Sequence, residues 1–239
     1  MKIKLNCDMG EGIGLDEEIM PFIDMSNLAC GCHAGDALTM QKSIPLAIVN
    51  NVEIGAHPSY FDRENFGRVS MDCTSEEINA LILYQLGALD AFCKVKNTKV
   101  TYVKPHGALY NDMMKDEKIF KAILKAIASY DKNIKLMILS NSENEKYKDI
   151  AKIFGLSLLY EVFADRNYND DGSLVSRTQD NAVIHNDAEV SARVKVLKSE
   201  GYIRSINNQK LFLQTDAICV HGDNEQALSF IKLLKKVLS

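Results

Sequence analysis

The strongest constraint on the fold is an alternation. Short apolar runs at residues 3–8, 26–32, 52–56, 100–103, 134–139, 156–163 and 217–220 take turns with segments of helical period. Runs of that length read as buried strands, and the segments between them carry helix start and stop signals. Asp36 can cap a helix to about Asn50, with Pro45 bending it. Thr74-Ser75-Glu76-Glu77 is a capping box, after which Ile78, Leu81, Ile82, Leu86, Leu89, Phe92 and Cys93 share one face. Helices follow at about 116–129, up to Phe154 with Gly155 as its stop, at 187–200 with Gly201 as its stop, and at the C-terminal end. Such alternation makes parallel βαβ units, so the expected fold is α/β, one domain over 1–239. The sheet is either open and doubly wound or closed into a barrel, and in both cases ligands sit at the carboxyl ends of the strands.

That rule turns the strand ends into a candidate site. Four of the five histidines, His33, His57, His106 and His221, stand where a strand gives way to a loop. Asp8, Lys104, Asp165, Arg166 and Asp223 hold the same kind of position. Imidazoles and carboxylates gathered at one mouth suit a divalent metal or general acid–base work near neutral pH. Asp8 with His33 and His57 is the metal set the sequence offers, and Asp8 serves equally as a general base or hydrogen-bond anchor. Lys104, Arg166, Arg68 and Arg177 are candidates for a substrate carboxylate or phosphate, Arg bidentately and Lys as a point charge. For Arg68 and Arg177 an ordinary solvated side chain is the competing reading. The loop 59–72 has no clear period, and long loops in compact domains are often functional.

Several readings are excluded or left plain. Gly10, Gly12 and Gly14 do not complete G-x-G-x-x-G, because Leu15 and Glu17 stand where glycine is required. Those glycines either admit an oxyanion to backbone amides or form a turn. Gly-Lys never occurs, so there is no Walker A loop, and nucleotide phosphates would be held another way or by another subunit. Cys30-Gly31-Cys32 lacks the second pair a structural zinc needs and reads as packing. His185, in a polar loop, reads as a surface residue. The net charge of −4 and the absence of a basic run argue against nucleic acid. The N-terminus lacks an apolar signal-peptide region, and no window approaches 18 consecutive apolar residues, so neither a leader nor a membrane span is expected. Six cysteines set mostly in apolar runs fit reduced thiols in a cytoplasmic protein.

Eight motifs, in order from residue 3 to about 223, resemble the LamB/YcsF family. They are Leu5-Asn6-Cys7-Asp8-Met9-Gly10-Glu11-Gly12, Ala29-Cys30-Gly31-Cys32-His33-Ala34-Gly35-Asp36, Gly55-Ala56-His57-Pro58-Ser59-Tyr60 and Phe66-Gly67-Arg68. Then come Val103-Lys104-Pro105-His106-Gly107-Ala108-Leu109-Tyr110, Glu161-Val162-Phe163-Ala164-Asp165-Arg166, Asp171-Gly172-Ser173-Leu174-Val175-Ser176-Arg177 and Ile218-Cys219-Val220-His221-Gly222-Asp223. The resemblance implies an incomplete parallel β/α barrel of about seven strands, similar to the glycoside hydrolase/deacetylase barrels. It implies ATP-dependent cleavage of 5-oxoproline to glutamate, with Mg accompanying the ATP, in company with 5-oxoprolinase subunits B and C. On that basis Asp8, His33, His57, His106, Asp165 and His221 are expected to be catalytic. Glu11, Lys104, Arg68, Arg166, Arg177 and Asp223 are expected to bind substrate or phosphate. Two positions depart from the family pattern: Cys32 replaces a Phe beside His33, and Val69 replaces an Arg, so no anion-binding role passes to Val69. A stand-alone metal-dependent amide hydrolase or deacetylase is a rival expectation. A non-catalytic carbohydrate- or amino-acid-binding subunit is another.

Overall fold

A computed structural model describes residues 3–12, 15–220 and 227–238. The strands β1 (Lys4–Met9), β2 (Met25–Ala29), β3 (Glu53–His57), β4 (Tyr102–Val103), β5 (Lys135–Leu139), β6 (Leu158–Phe163) and β9 (Ala217–Val220) form a closed barrel in that order. Every pairing in the ring is parallel, including β1 with β9 and β6 with β9. The barrel therefore holds one strand fewer than the eight of the common β/α barrel, and it closes fully.

Helices α2 (Ala37–Val49), α3 (Ser75–Val95), α5 (Glu117–Tyr130), α6 (Asn144–Ile153), α7 (Asp187–Glu200) and α8 (Ala227–Leu238) connect or follow the strands. Their ends match the sequence signals. Asp36 caps α2 through the Thr39 amide at 2.8 Å, and the Thr74/Glu77 box opens α3. Gly201 closes α7 in the left-handed conformation that glycine adopts without steric cost. By length and composition α3 is apolar enough to cross a membrane, but it buries Ile78, Ile82, Leu86 and Leu89 against the body of the protein.

Three features differ from the sequence reading. The second strand stops at Ala29, so residues 30–36 form the turn that carries His33. A short helix α4 (Gly107–Met113) follows His106 directly, and α1 (Asp16–Ile19) follows the first loop; both are too short to show a period. An antiparallel hairpin, β7 (Tyr202–Arg204) and β8 (Lys210–Phe212), sits outside the barrel. Its turn residues Ser205, Asn207 and Gln209 all donate to Asp170 and so hold the long loop after β6.

Strand alternation separates two environments. On β1, Leu5, Cys7 and Met9 join the large core under the helices. The residues between them, Asn6 and Asp8, belong to a polar network that crosses the barrel. The floor of the barrel is a separate apolar cluster of Met25, Tyr102, Met137 and Ala217. Tyr102 fits because Gly55 faces it: a Cβ on Gly55 would lie 2.2 Å from the ring. From there the Tyr102 hydroxyl donates to Asn27 Oδ1 at 2.7 Å, and Asn27 Nδ2 donates to Asp8 Oδ1 at 2.7 Å. Packing at the floor thus fixes a carboxylate nearer the mouth. Gly55→Ala is expected to displace Tyr102 and cost about 1–3 kcal/mol, the usual penalty for overpacking, measured by urea unfolding.

Candidate active site at the carboxyl ends of the strands

The strand-end rule brings three of the four histidines together. His57 ends β3, His106 follows β4, and His33 lies in the turn after β2; all three are buried. Ring nitrogens of the three and a carboxylate oxygen of Glu11 lie within 4.8 Å of one another. His33 and His106 stack at 3.8 Å with their planes 4° apart, and His57 meets both edge-on. His221 and Asp223 lie outside the described residues, as does Gly14.

Backbone carbonyls set the tautomers of two rings. His57 Nδ1 is 2.7 Å from the Lys104 carbonyl, and His106 Nε2 is 2.9 Å from the Phe66 carbonyl. A carbonyl only accepts, so those nitrogens carry the protons. In their neutral forms His57 and His106 are then left with lone pairs on Nε2 and Nδ1, which face each other 2.9 Å apart. Glu11 Oε1 lies 3.4 Å from His106 Nδ1, 3.9 Å from His57 Nε2 and 3.1 Å from His33 Nε2. Acceptors converging on one point suit a shared proton or a metal ion. Three imidazoles with one carboxylate are a donor set for zinc or a similar divalent ion. Two of the imidazoles also have the outer hydrogen bond to a carbonyl that is common among metal ligands. His33 Nδ1 differs in this respect, with no partner among the described residues.

Phe66 is held for its task by strain. Its φ is +56°, unusual for a bulky residue, and Gly67 follows at +66°. A Cβ on Gly67 would come within 3.0 Å of both His33 and His106, so only glycine lets the loop pass so close. The Phe66 ring meets His33 and His106 edge-on, at 5.5 and 5.3 Å.

Asp8 stands beside this centre. Its Oδ2 is 3.4 Å from His57 Nε2, and its Oδ1 accepts from Lys104 Nζ at 2.8 Å. Lys104 is 2% exposed, yet it also reaches Glu161 Oε1 at 3.1 Å and Cys219 Sγ at 3.2 Å. The Glu161 contact is an ion pair without the alignment of a good hydrogen bond. Burial alone would push the lysine down, but Asp8, Cys219 and Glu161 hold its ammonium well above the usual lysine range. Burial pushes His33 down to about 2 and His106 well below the usual histidine range, with His57 adding to both.

The cationic candidates divide. Arg166 is buried and spends its guanidinium on the carbonyls of Ala182 and Val175, at 3.2 and 2.6 Å, which shapes the loop after β6. Burial, and then the charge of Arg177, pull Arg166 down to about 10. Arg177 itself is exposed. The Arg68 guanidinium lies over the Phe66 ring at 5.1 Å, and Asp165 is buried just after β6. The Gly10 amide donates to the Asp16 carboxylate at 2.9 Å, so it is taken up in closing a turn. Cys30 and Cys32 are buried free thiols, Val69 is exposed, and His185 is on the surface.

Sequence reasoning passes over Asn6, Asn27, Tyr102, Tyr110 and Glu161. The available signal is a polar residue at an inward position of a short strand: Asn6 two before Asp8, and Glu161 alone in Leu-Leu-Tyr-Glu-Val-Phe.

The neutral histidines give a pH dependence. The folded values of His33 and His106 lie below the ordinary histidine value, so the unfolded chain binds more protons in acid. Their contribution is full above about pH 6.5 and is lost as the pH falls, at up to about 1.4 kcal/mol per unit per ring. Urea unfolding of chelator-treated protein from about pH 7.5 to about 5 should show this slope, and His33→Asn with His106→Asn should flatten it.

The LamB/YcsF family model matches residues 3–239. The 5-oxoprolinase A subunit of Vibrio campbellii is 46% identical over 99% of this chain and 96% of that protein. The corresponding protein of Thermococcus sibiricus is 49% identical over 100% of this chain and 94% of that protein. Among solved structures, the lactam utilization protein of Thermus thermophilus superposes with a TM-score of 0.91 at 32% identity. That match covers 100% of this chain and 96% of the other.

Proposed function

The chain belongs to the LamB/YcsF family, and from that premise we propose that it is a subunit of an ATP-dependent 5-oxoprolinase. It would open the lactam of 5-oxo-L-proline to L-glutamate with ATP hydrolysis, as a hydrolase of a cyclic C–N bond. The observation that carries this reading is the cluster of Glu11, His33, His57 and His106 beside Asp8, at the carboxyl ends of the strands. The names of the relatives supply the substrate, and the word subunit in them supplies the expectation of partners, here subunits B and C. A cytoplasmic setting, with ATP and Mg at hand, agrees with six free cysteines.

A five-membered lactam resists water, and a phosphoryl group from ATP on its carbonyl oxygen would activate it. Water then adds to the activated carbon. The ring C–N bond breaks, the nitrogen takes a proton, and a second water releases phosphate from the resulting acyl phosphate. We assign the proton of the attacking water to Asp8 Oδ2 or to His57 and His106, a reading supported by their close grouping. The Lys104 ammonium opposes negative charge as it builds on the carbon's oxygens. Arg68, over the Phe66 ring, and the exposed Arg177 are the cations we assign to the substrate carboxylate or phosphoryl group. Arg166 would act through the loop it holds. No Walker A loop is present, so we assign the nucleotide to the partner subunits.

If a divalent ion is present, Glu11, His33, His57 and His106 would hold it, and it would polarise a carbonyl or a water. That arrangement also suits the rival reading, an ATP-independent metal amide hydrolase.

The test is glutamate release from 5-oxoproline by the purified chain, with and without ATP, subunits B and C, and a divalent ion. Release that requires ATP and the partners supports the proposal. ATP-independent release with bound metal supports the rival, and substrate binding without chemistry under every condition overturns both. Asp8→Asn, His57→Ala and His106→Ala should each lower kcat by at least about 100-fold, the scale of lost acid–base catalysis. Zinc titration by calorimetry should show one site in the wild type and none in His57→Ala.

A further inference from the structure

Glu161 is a carboxylate for which the ring-opening steps above have no use. It is fully buried on β6, surrounded in sequence by apolar residues. Its Oε2 accepts from the Tyr110 hydroxyl of α4 at 2.9 Å, and its Oε1 pairs with Lys104 at 3.1 Å. The Lys104 ammonium consequently sits between Glu161 and Asp8, carboxylates from two strands that do not pair. A buried ion triad is a poor device for stability, because apolar residues of the same volume often do as well or better. Its position beside the histidine centre points to a different task.

We propose that Glu161 is a positioning residue for the ring-opening reaction: by sharing the Lys104 ammonium with Asp8, it keeps Asp8 Oδ2 turned toward the histidines. The distances fit. Asp8 Oδ1 takes Lys104 and Asn27, at 2.8 and 2.7 Å, while Oδ2 faces His57 Nε2 at 3.4 Å. With Glu161 neutral, the ammonium has one carboxylate left and draws both oxygens of Asp8 to itself. Tyr110 fixes Glu161 from the side of α4, so it acts one step further back. The inference rests on the function proposed above.

A double-mutant cycle in the full assembly with subunits B and C tests it. Glu161→Gln should lower kcat by about 10–100-fold, the usual effect of removing an outer partner, with KM changed less than about twofold. Tyr110→Phe should act in the same direction and more weakly. In a Lys104→Met background, Glu161→Gln should leave the residual kcat nearly unchanged, because its route through the ammonium is already gone. A purely structural role predicts the same fractional loss in both backgrounds, and that result overturns the proposal. If Glu161→Gln does not fold, Tyr110→Phe carries the test, and wild-type kcat in that variant overturns it. Wild-type activity together with an unaltered Glu161→Gln enzyme sinks this inference alone. Absence of any glutamate release from the wild type removes the functional reading and this inference with it.

Discussion

Two backbone carbonyls decide what the centre can do. The oxygens of Lys104 and Phe66 each accept an imidazole N–H, and in doing so they aim the remaining lone pairs of His57 and His106 at each other. Without those anchors the rings could turn, or swap tautomers, and bond to one another as an ordinary donor–acceptor pair. With them, the centre is a set of buried acceptors in want of a proton or a cation. The rest of the barrel is arranged so that these two carbonyls stay where they are. Parallel pairing of β4 with β3 and β5 fixes the chain leading to Lys104. A left-handed Phe66-Gly67 step, locked by the close approach of Gly67 to His33 and His106, fixes the other.

Beneath the histidines the barrel interior carries charge where many β/α barrels are filled with branched apolar side chains. Asp8, Lys104 and Glu161 form a triad, framed by Asn6, Asn27, Tyr102 and Tyr110. A network of this kind is costly unless its members are satisfied, and hydrogen bonds to neighbouring side chains meet most of that need. It also links the apolar floor to the histidine centre: Gly55 makes room for Tyr102, Tyr102 holds Asn27, and Asn27 holds Asp8. Substitutions at the floor should therefore reach the chemistry without touching a substrate.

Much of this is legible in the sequence, and the reason is periodicity. Seven apolar runs alternating with helical stripes specify parallel units, and a parallel sheet puts its strand ends on one side. His33, His57, His106, Asp8 and Lys104 can thus be grouped from the sequence alone. Closure of the sheet cannot be read there, since an open and a closed parallel sheet have the same local pattern. Nor can the partition of roles among the charged residues. Arg166 looks like an anion ligand in the sequence, and two of its five N–H donors bind loop carbonyls. Glu11 reads as a substrate ligand and stands among the histidines. Asp8 groups with His33 and His57 as a metal set, and its Oδ1 is bound by Lys104 and Asn27. Each of these depends on contacts between residues far apart in the chain, which no local pattern encodes.

The central claim is the convergence of imidazole lone pairs, and ring-nitrogen NMR reads it most directly. A long-range ¹H–¹⁵N spectrum of metal-free protein, assigned by single His→Asn variants, reports which nitrogen of each ring carries the proton. The account predicts that near pH 7 the proton is on Nδ1 in His57 and on Nε2 in His106, each at the nitrogen facing its carbonyl. Finding the opposite tautomer in either ring, or a pair of fully protonated imidazoliums, would contradict it.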